Sequence, residues 1–148
     1  MTDLPSAVLF ACNMNSIRSP MAEGLLKFLQ GDRIFIDSVG VRPREIDGFS
    51  VAVMDEIGID ISNHNAKSFD DLEDSYFDLV IPLSPEAQHK ALEMTRVMAC
   101  DVVFWNTFDP SLVESENRET ILETYRQVRD QLLGRLKARF PQVRATDT

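Results

Sequence analysis

Cys12 and Arg18 flank five residues in the run Cys12-Asn13-Met14-Asn15-Ser16-Ile17-Arg18, and Ser19-Pro20 follow at once. A thiolate is a strong nucleophile, and a guanidinium offers a planar fork that matches two oxygens of a phosphate. A tight loop ahead of a helix aims its backbone N–H groups at one point and adds the positive end of the helix dipole. The same potential favours the thiolate form of Cys12. The pattern therefore reads as an oxyanion cradle over residues 12–19. Cys12 is the nucleophile, and Asn13, Met14, Asn15, Ser16, Ile17, Arg18 and Ser19 surround the anion. The Ser19 hydroxyl is placed to donate to the sulfur. Asn15 tolerates positive φ and can tie the loop together through its amide. A cysteine by itself is more simply a small buried hydrophobe. Here that reading must also explain the five-residue gap, the arginine, the serine and the proline-started helix.

The elements around the loop supply its frame. Residues 7–11, Ala-Val-Leu-Phe-Ala, form a continuous apolar run, as in a strand buried on both faces. Ser19 reads as a cap and Pro20 as a first-turn residue of a helix stopped by Gly31. Further strands are expected at 34–36, 79–81 and 102–104, and helices at about 47–57 and 85–98. The segment 59–78 reads as polar loop with one helical turn. From 116 to 140 apolar residues (Ile121, Tyr125, Val128, Leu132, Leu136, Phe140) recur at helical spacing. Acids (Glu114, Glu116, Glu119) gather at that helix's start and bases (Arg135, Lys137, Arg139) at its end. Alternating strands and helices predict an α/β fold with a parallel sheet, crossovers on both faces and ligands at the C-terminal strand ends. Cys12 after the first strand and Asp109 after the fourth then fall on one edge.

Composition bounds the chemistry. The 148 residues suit one domain over 1–148, with a frayed tail after about 141. The net charge of -9 offers no basic face for nucleic acid, and no apolar run has membrane-spanning length. The first residues lack the basic and apolar parts of a leader, so a cytoplasmic address is the expectation. Two cysteines and two histidines give no zinc-site spacing, and no metal or cofactor is expected. Cys100 reads as a buried filler. The acidic stretch 70–74 reads as solvated surface. His64 and His89 are read as solvated or satisfied rather than catalytic.

The stretch from Val8 to Glu23 (Val8-Leu9-Phe10-Ala11-Cys12-Asn13-Met14-Asn15-Ser16-Ile17-Arg18-Ser19-Pro20-Met21-Ala22-Glu23) resembles the opening of the low-molecular-weight protein tyrosine phosphatases. Their superfamily includes the thioredoxin-coupled arsenate reductases. The resemblance implies a four-stranded parallel sheet of order 2-1-3-4 flanked by helices, and a cysteinyl-phosphate intermediate. Asp37-Ser38-Val39-Gly40 is similar to the turn after the family's second strand. Asp109-Pro110 resembles its Asp-Pro loop, which makes Asp109 the general acid. Residues 125–130 resemble the closing helix of the reductase branch. In the phosphatases the loop that would hold His64 often approaches the site, so a hydrogen bond from it is a second reading.

Four departures bear on activity. Ile17 replaces the second cysteine of the familiar loop, and Met14 replaces its usual glycine. Ser111-Leu112 replace an aromatic pair that walls the phosphotyrosine pocket in many members. Ser84 and Ala91 occupy positions where the reductases carry redox cysteines. The resulting expectation is a metal-independent phosphomonoesterase, a protein tyrosine phosphatase first of all, with catalytic Cys12, Arg18 and Asp109. Its partners are phosphorylated proteins or small phosphomonoesters, and it acts as a monomer or weak homodimer. Arsenate reduction with an external small thiol, and a non-catalytic phosphopeptide or oxyanion binder, are the alternatives. Met14, Ile17, Arg42, Phe49 and residues 108–112 are the expected pocket rim.

Overall fold

The structure is a computed structural model that describes residues 4–72 and 76–141. Its strands are β1 (Ala7–Cys12), β2 (Phe35–Gly40), β3 (Leu79–Pro82) and β4 (Asp101–Val102). Its helices are α1 (Arg18–Gln30), α2 (Gly48–Asp55), α3 (Pro85–Met94) and α4 (Arg118–Arg139). All strand pairings are parallel and the order is β2-β1-β3-β4, the α/β topology expected from the sequence.

Period-two alternation divides β1 between two cores. Val8, Phe10 and Cys12 face a large cluster built with α1, α2 and α4. Ala7, Leu9 and Ala11 face a smaller one that includes Ala87 and Ala91 of α3. Every residue of β1 is buried, which is why the run carries no polar residue. Cys12 is the last inward residue before the chain leaves the sheet. No helix among the described residues is long and apolar enough to cross a membrane.

Several boundaries differ from expectation. Asp37–Gly40 is not a turn but the last four residues of β2, paired with Leu9–Cys12. Ser19 does not cap α1. The helix begins at Arg18 after Ile17, so Ser19 lies in the first turn with its hydroxyl turned to the sulfur. Gly31 ends α1 without a left-handed backbone (φ -64). α3 stops at Met94, and β4 covers only Asp101–Val102. α4 starts at Arg118 because the Asn117 side chain accepts from the Glu119 and Thr120 amides. Of the three acids assigned to its start, only Glu119 lies in the first turn, and the basic residues of the last turn are Lys137 and Arg139. The tail beyond 141 and residues 73–75, which include the end of the acidic stretch, lie outside the described residues. Within that stretch, Asp71 closes a capping box with Ser68.

Gly40 fixes how closely the strand pair meets the loop. A Cβ built there would lie 2.6 Å from the Asn15 nitrogen and 2.7 Å from the Met14 carbonyl carbon. These are backbone atoms that cannot swing aside. Gly40→Ala is therefore expected to destabilise the fold by about 1–3 kcal/mol and to displace the 12–18 loop. Thermal melts and activity measured on the same sample check this.

Candidate active site

Loop 12–18 is turned with its carbonyls outward. The amides of Val41, Arg42, Arg44 and Asp47 donate to the carbonyls of Cys12 (3.1 Å), Asn13 (2.7 Å), Met14 (2.9 Å) and Ser16 (3.0 Å). Across a trans peptide the following N–H points the opposite way, so the amides of Asn13, Met14, Asn15 and Ile17 turn inward. The Asn15 amide lies 3.3 Å from the Cys12 sulfur. The amides of Met14, Ser16, Ile17, Arg18 and Ser19 make no hydrogen bond with any described residue. All of these residues except Met14 are buried. Buried backbone donors are almost always paired, and among the described residues every buried side-chain nitrogen and oxygen has a partner. The loop thus presents a set of backbone donors with no acceptor of its own.

Asn15 makes this shape possible. Its φ of 52° is the left-handed turn that brings the loop back on itself, and asparagine bears that conformation better than most side chains. Its amide nitrogen donates to the Ser19 and Ser38 hydroxyls, both at 2.8 Å. Its carbonyl oxygen accepts from the Lys67 amide at 3.1 Å and lies 2.9 Å from His64 Nε2. Ser19 Oγ is 3.0 Å from the Cys12 sulfur. The Asn15 amide donates to Ser19 Oγ, and the serine proton has two acceptors in reach, the Cys12 sulfur at 3.0 Å and the Val39 carbonyl at 3.4 Å. Behind these residues Ser38 donates to Glu23, which also pairs with Lys27 and lies 3.8 Å from His64 Nδ1.

His64 is a hydrogen-bonded member of this buried network rather than a solvated residue. Burial lowers its proton affinity first, with Lys67 adding to the effect against Glu23, Asn15 and Asp37. A base whose folded pKa lies below its unfolded value of about 6.5 takes up protons preferentially on unfolding in that interval. Stability should then be unaffected by this group above about 6.5 and should fall as pH drops through the window beneath it. His64→Gln is expected to flatten that acid-side decline in melting temperature. An unchanged slope would contradict it.

Arg18 is buried, with Nη1 donating to the Thr107 carbonyl at 3.0 Å and Nη2 3.7 Å from Asp109 Oδ2. Thr107 continues the chain beyond β4, its amide bonded to the Leu83 carbonyl at 3.0 Å. One side chain therefore joins the loop after β1 to the loop after β4. Cys12, Met14, Ser16, Ile17, Arg18, Asp109 and Ser111 line one small pocket at the C-terminal edge of the sheet.

The other residues named from the sequence lie outside that lining. The Asn13 side chain turns away to accept from the Ser84 hydroxyl at 2.6 Å, with Glu86 at 3.5 Å. Arg42 is on the surface in a two-pronged pair with Glu86 (2.7 and 3.1 Å). Phe49 packs on Tyr125 (5.4 Å) with Arg118 over its ring, so neither Arg42 nor Phe49 forms the rim. Ser84 is buried and caps α3, and Ala91 packs in the core of the opposite face. Cys100 is partly buried, and burial followed by Asp101 raises its pKa.

Sequence reasoning did not single out Thr107, Asp47 or Glu23 for the site. Asp47 caps α2, bonds the loop through its amide and accepts from the Tyr125 hydroxyl at 3.3 Å. Burial and the Asp47 charge push Tyr125 up, so its phenol stays protonated.

Known proteins are similar to this chain in sequence and fold. An arsenate reductase of Bacillus subtilis is 32% identical over 130 residues, 88% of this chain and 91% of that one. A glutaredoxin arsenate reductase of a Synechocystis strain is 37% identical over 76 residues, and that match spans 51% of this chain and 58% of the relative. The solved low molecular weight protein tyrosine phosphatase of T. tengcongensis is 29% identical with a TM-score of 0.68, covering 86% of this chain and 92% of that one. The family model for low molecular weight phosphotyrosine protein phosphatases matches residues 7–146. The strand-loop-helix around Cys12 and the parallel sheet of order 2-1-3-4 are thus those of a cysteine-based enzyme family, and the chain belongs to the low molecular weight phosphotyrosine protein phosphatases.

Proposed function

We propose that this protein is a metal-independent phosphomonoester hydrolase, with phosphotyrosine in proteins as its foremost substrate class. The observation that carries the reading is the set of unpaired, mostly buried amides beside the Cys12 sulfur, in a pocket also lined by Arg18 and Asp109. Donors fixed in this way stabilise charge developing on phosphoryl oxygens without reorganising. The Cys12 thiolate forms the S–P bond as the P–O bond to the leaving alcohol breaks, and Asp109 gives that oxygen its proton. In the second half Asp109 takes a proton from water, whose oxygen displaces the Cys12 thiolate and releases phosphate. The Ser19 hydroxyl, 3.0 Å from the sulfur, stabilises the thiolate at both ends of the cycle.

The relatives named arsenate reductases favour a second reading. Ser84 and Ala91 hold the positions of the redox cysteines in that branch, so the reductant must come from outside. Two equivalents of an external thiol would be oxidised to one disulfide as arsenate becomes arsenite, the lost oxygen leaving as water. Parallel assays of aryl phosphate hydrolysis and of arsenite formation with glutathione separate the two. Hydrolysis without arsenite supports the phosphatase reading. Arsenite formation with no hydrolysis at any mildly acidic pH contradicts it.

A further inference from the structure

The two oxygens of Asp109 are in different situations. Oδ1 accepts from both the amide (3.0 Å) and the hydroxyl (2.7 Å) of Ser111. Oδ2 accepts from neither and lies on the Arg18 side, 3.7 Å from Nη2. Ser111 lines the same pocket as Cys12, and as a whole residue it is exposed, so nothing in the core depends on it.

We propose that Ser111 is a positioning residue that holds Asp109 in one orientation and assigns its transferable proton to Oδ2. This rests on the role of Asp109 as the acid. An oxygen that already accepts two hydrogen bonds has little room for a proton of its own, while the opposite oxygen is left to carry it toward the pocket. The proton moves from Oδ2 to the leaving oxygen as the P–O bond breaks, and returns to Oδ2 from the attacking water. Throughout, Ser111 goes on donating to Oδ1 and keeps the carboxyl from rotating. A hydroxyl on a one-carbon stem reaches the carboxyl two residues back. An aromatic side chain in the same place carries its polar atom too far out to do so.

The experiment measures kcat/KM for aryl phosphates whose leaving phenols differ widely in acidity, in wild type, Ser111→Ala, Ser111→Thr and Asp109→Asn. Acid assistance matters most when the departing phenolate is basic. Ser111→Ala is expected to lower the ratio of poor to good leaving-group rates about 5- to 20-fold, with an unchanged melting temperature. Ser111→Thr should restore the ratio, since its hydroxyl can make the same bond. An equal slowing of every ester in Ser111→Ala, or no restoration by threonine, would overturn the proposal. Asp109→Asn tests the underlying role separately. If it fails to steepen the leaving-group dependence, Asp109 is not the acid and both readings fall together.

Discussion

Cys12→Ser is expected to abolish turnover of aryl phosphates, by at least about 10⁴-fold in kcat, while leaving the fold and the anion site intact. The reason is chemical rather than structural. Serine has nearly the same shape, so the amides around residue 12 and the outward bonds of the loop carbonyls have no cause to move. What is lost is an atom that ionises readily and attacks phosphorus without a base beside it. In this pocket no histidine stands ready to activate a hydroxyl, since His64 is committed to Asn15 on the far side of the loop. Inorganic phosphate or vanadate should therefore still bind Cys12→Ser, read by calorimetry or by protection against thermal unfolding. Loss of binding together with turnover would mean that the variant had disturbed the cradle itself.

Arg18→Lys is expected to lower kcat/KM roughly 10²–10³-fold, despite keeping the charge. The guanidinium does two things that an ammonium cannot do together. One nitrogen holds the Thr107 carbonyl, which fixes the start of the acid loop. The other faces Asp109 Oδ2 on the side where the phosphoryl oxygens would sit. Lysine is a point charge on a flexible stem and can satisfy one of these at a time. The loss should fall on both kcat and the affinity for inhibitory oxyanions, with a further loss in Arg18→Ala. A lysine variant within a few-fold of wild type would show that charge alone is what the site requires.

The parts of this site that could be read from the sequence are those built by neighbours along the chain. Loop 12–18 lies between an apolar strand and a proline-started helix, so its cysteine, arginine and serine were legible as a unit. Asp109 was reachable only through the sheet rule and the family resemblance. Gly40, Ser38, Asp47 and Thr107 are a different matter. Each meets the loop because parallel crossovers bring residues 20 to 90 positions apart together, and such contacts leave no local pattern. Asp37–Gly40 illustrates the limit, because its Ser-Val-Gly looks like a turn. Only the register of β2 on β1 shows it as strand, with Gly40 opposite Cys12. Arg42 and Phe49 were placed at the rim by position alone. In the fold the first turns to Glu86 and the second to Tyr125, where charge and apolar area are better satisfied.

The most direct measurement of the central claim is pre-steady-state hydrolysis of p-nitrophenyl phosphate by Asp109→Asn. A good leaving group needs little acid, so the thiolate should attack at a substantial rate while the water step, deprived of its base, lags. The account predicts a burst of one nitrophenolate per enzyme followed by a slow steady rate, with phosphate trapped on Cys12 in the quenched protein. Product release that is linear from the first turnover, with no label on Cys12, would contradict it.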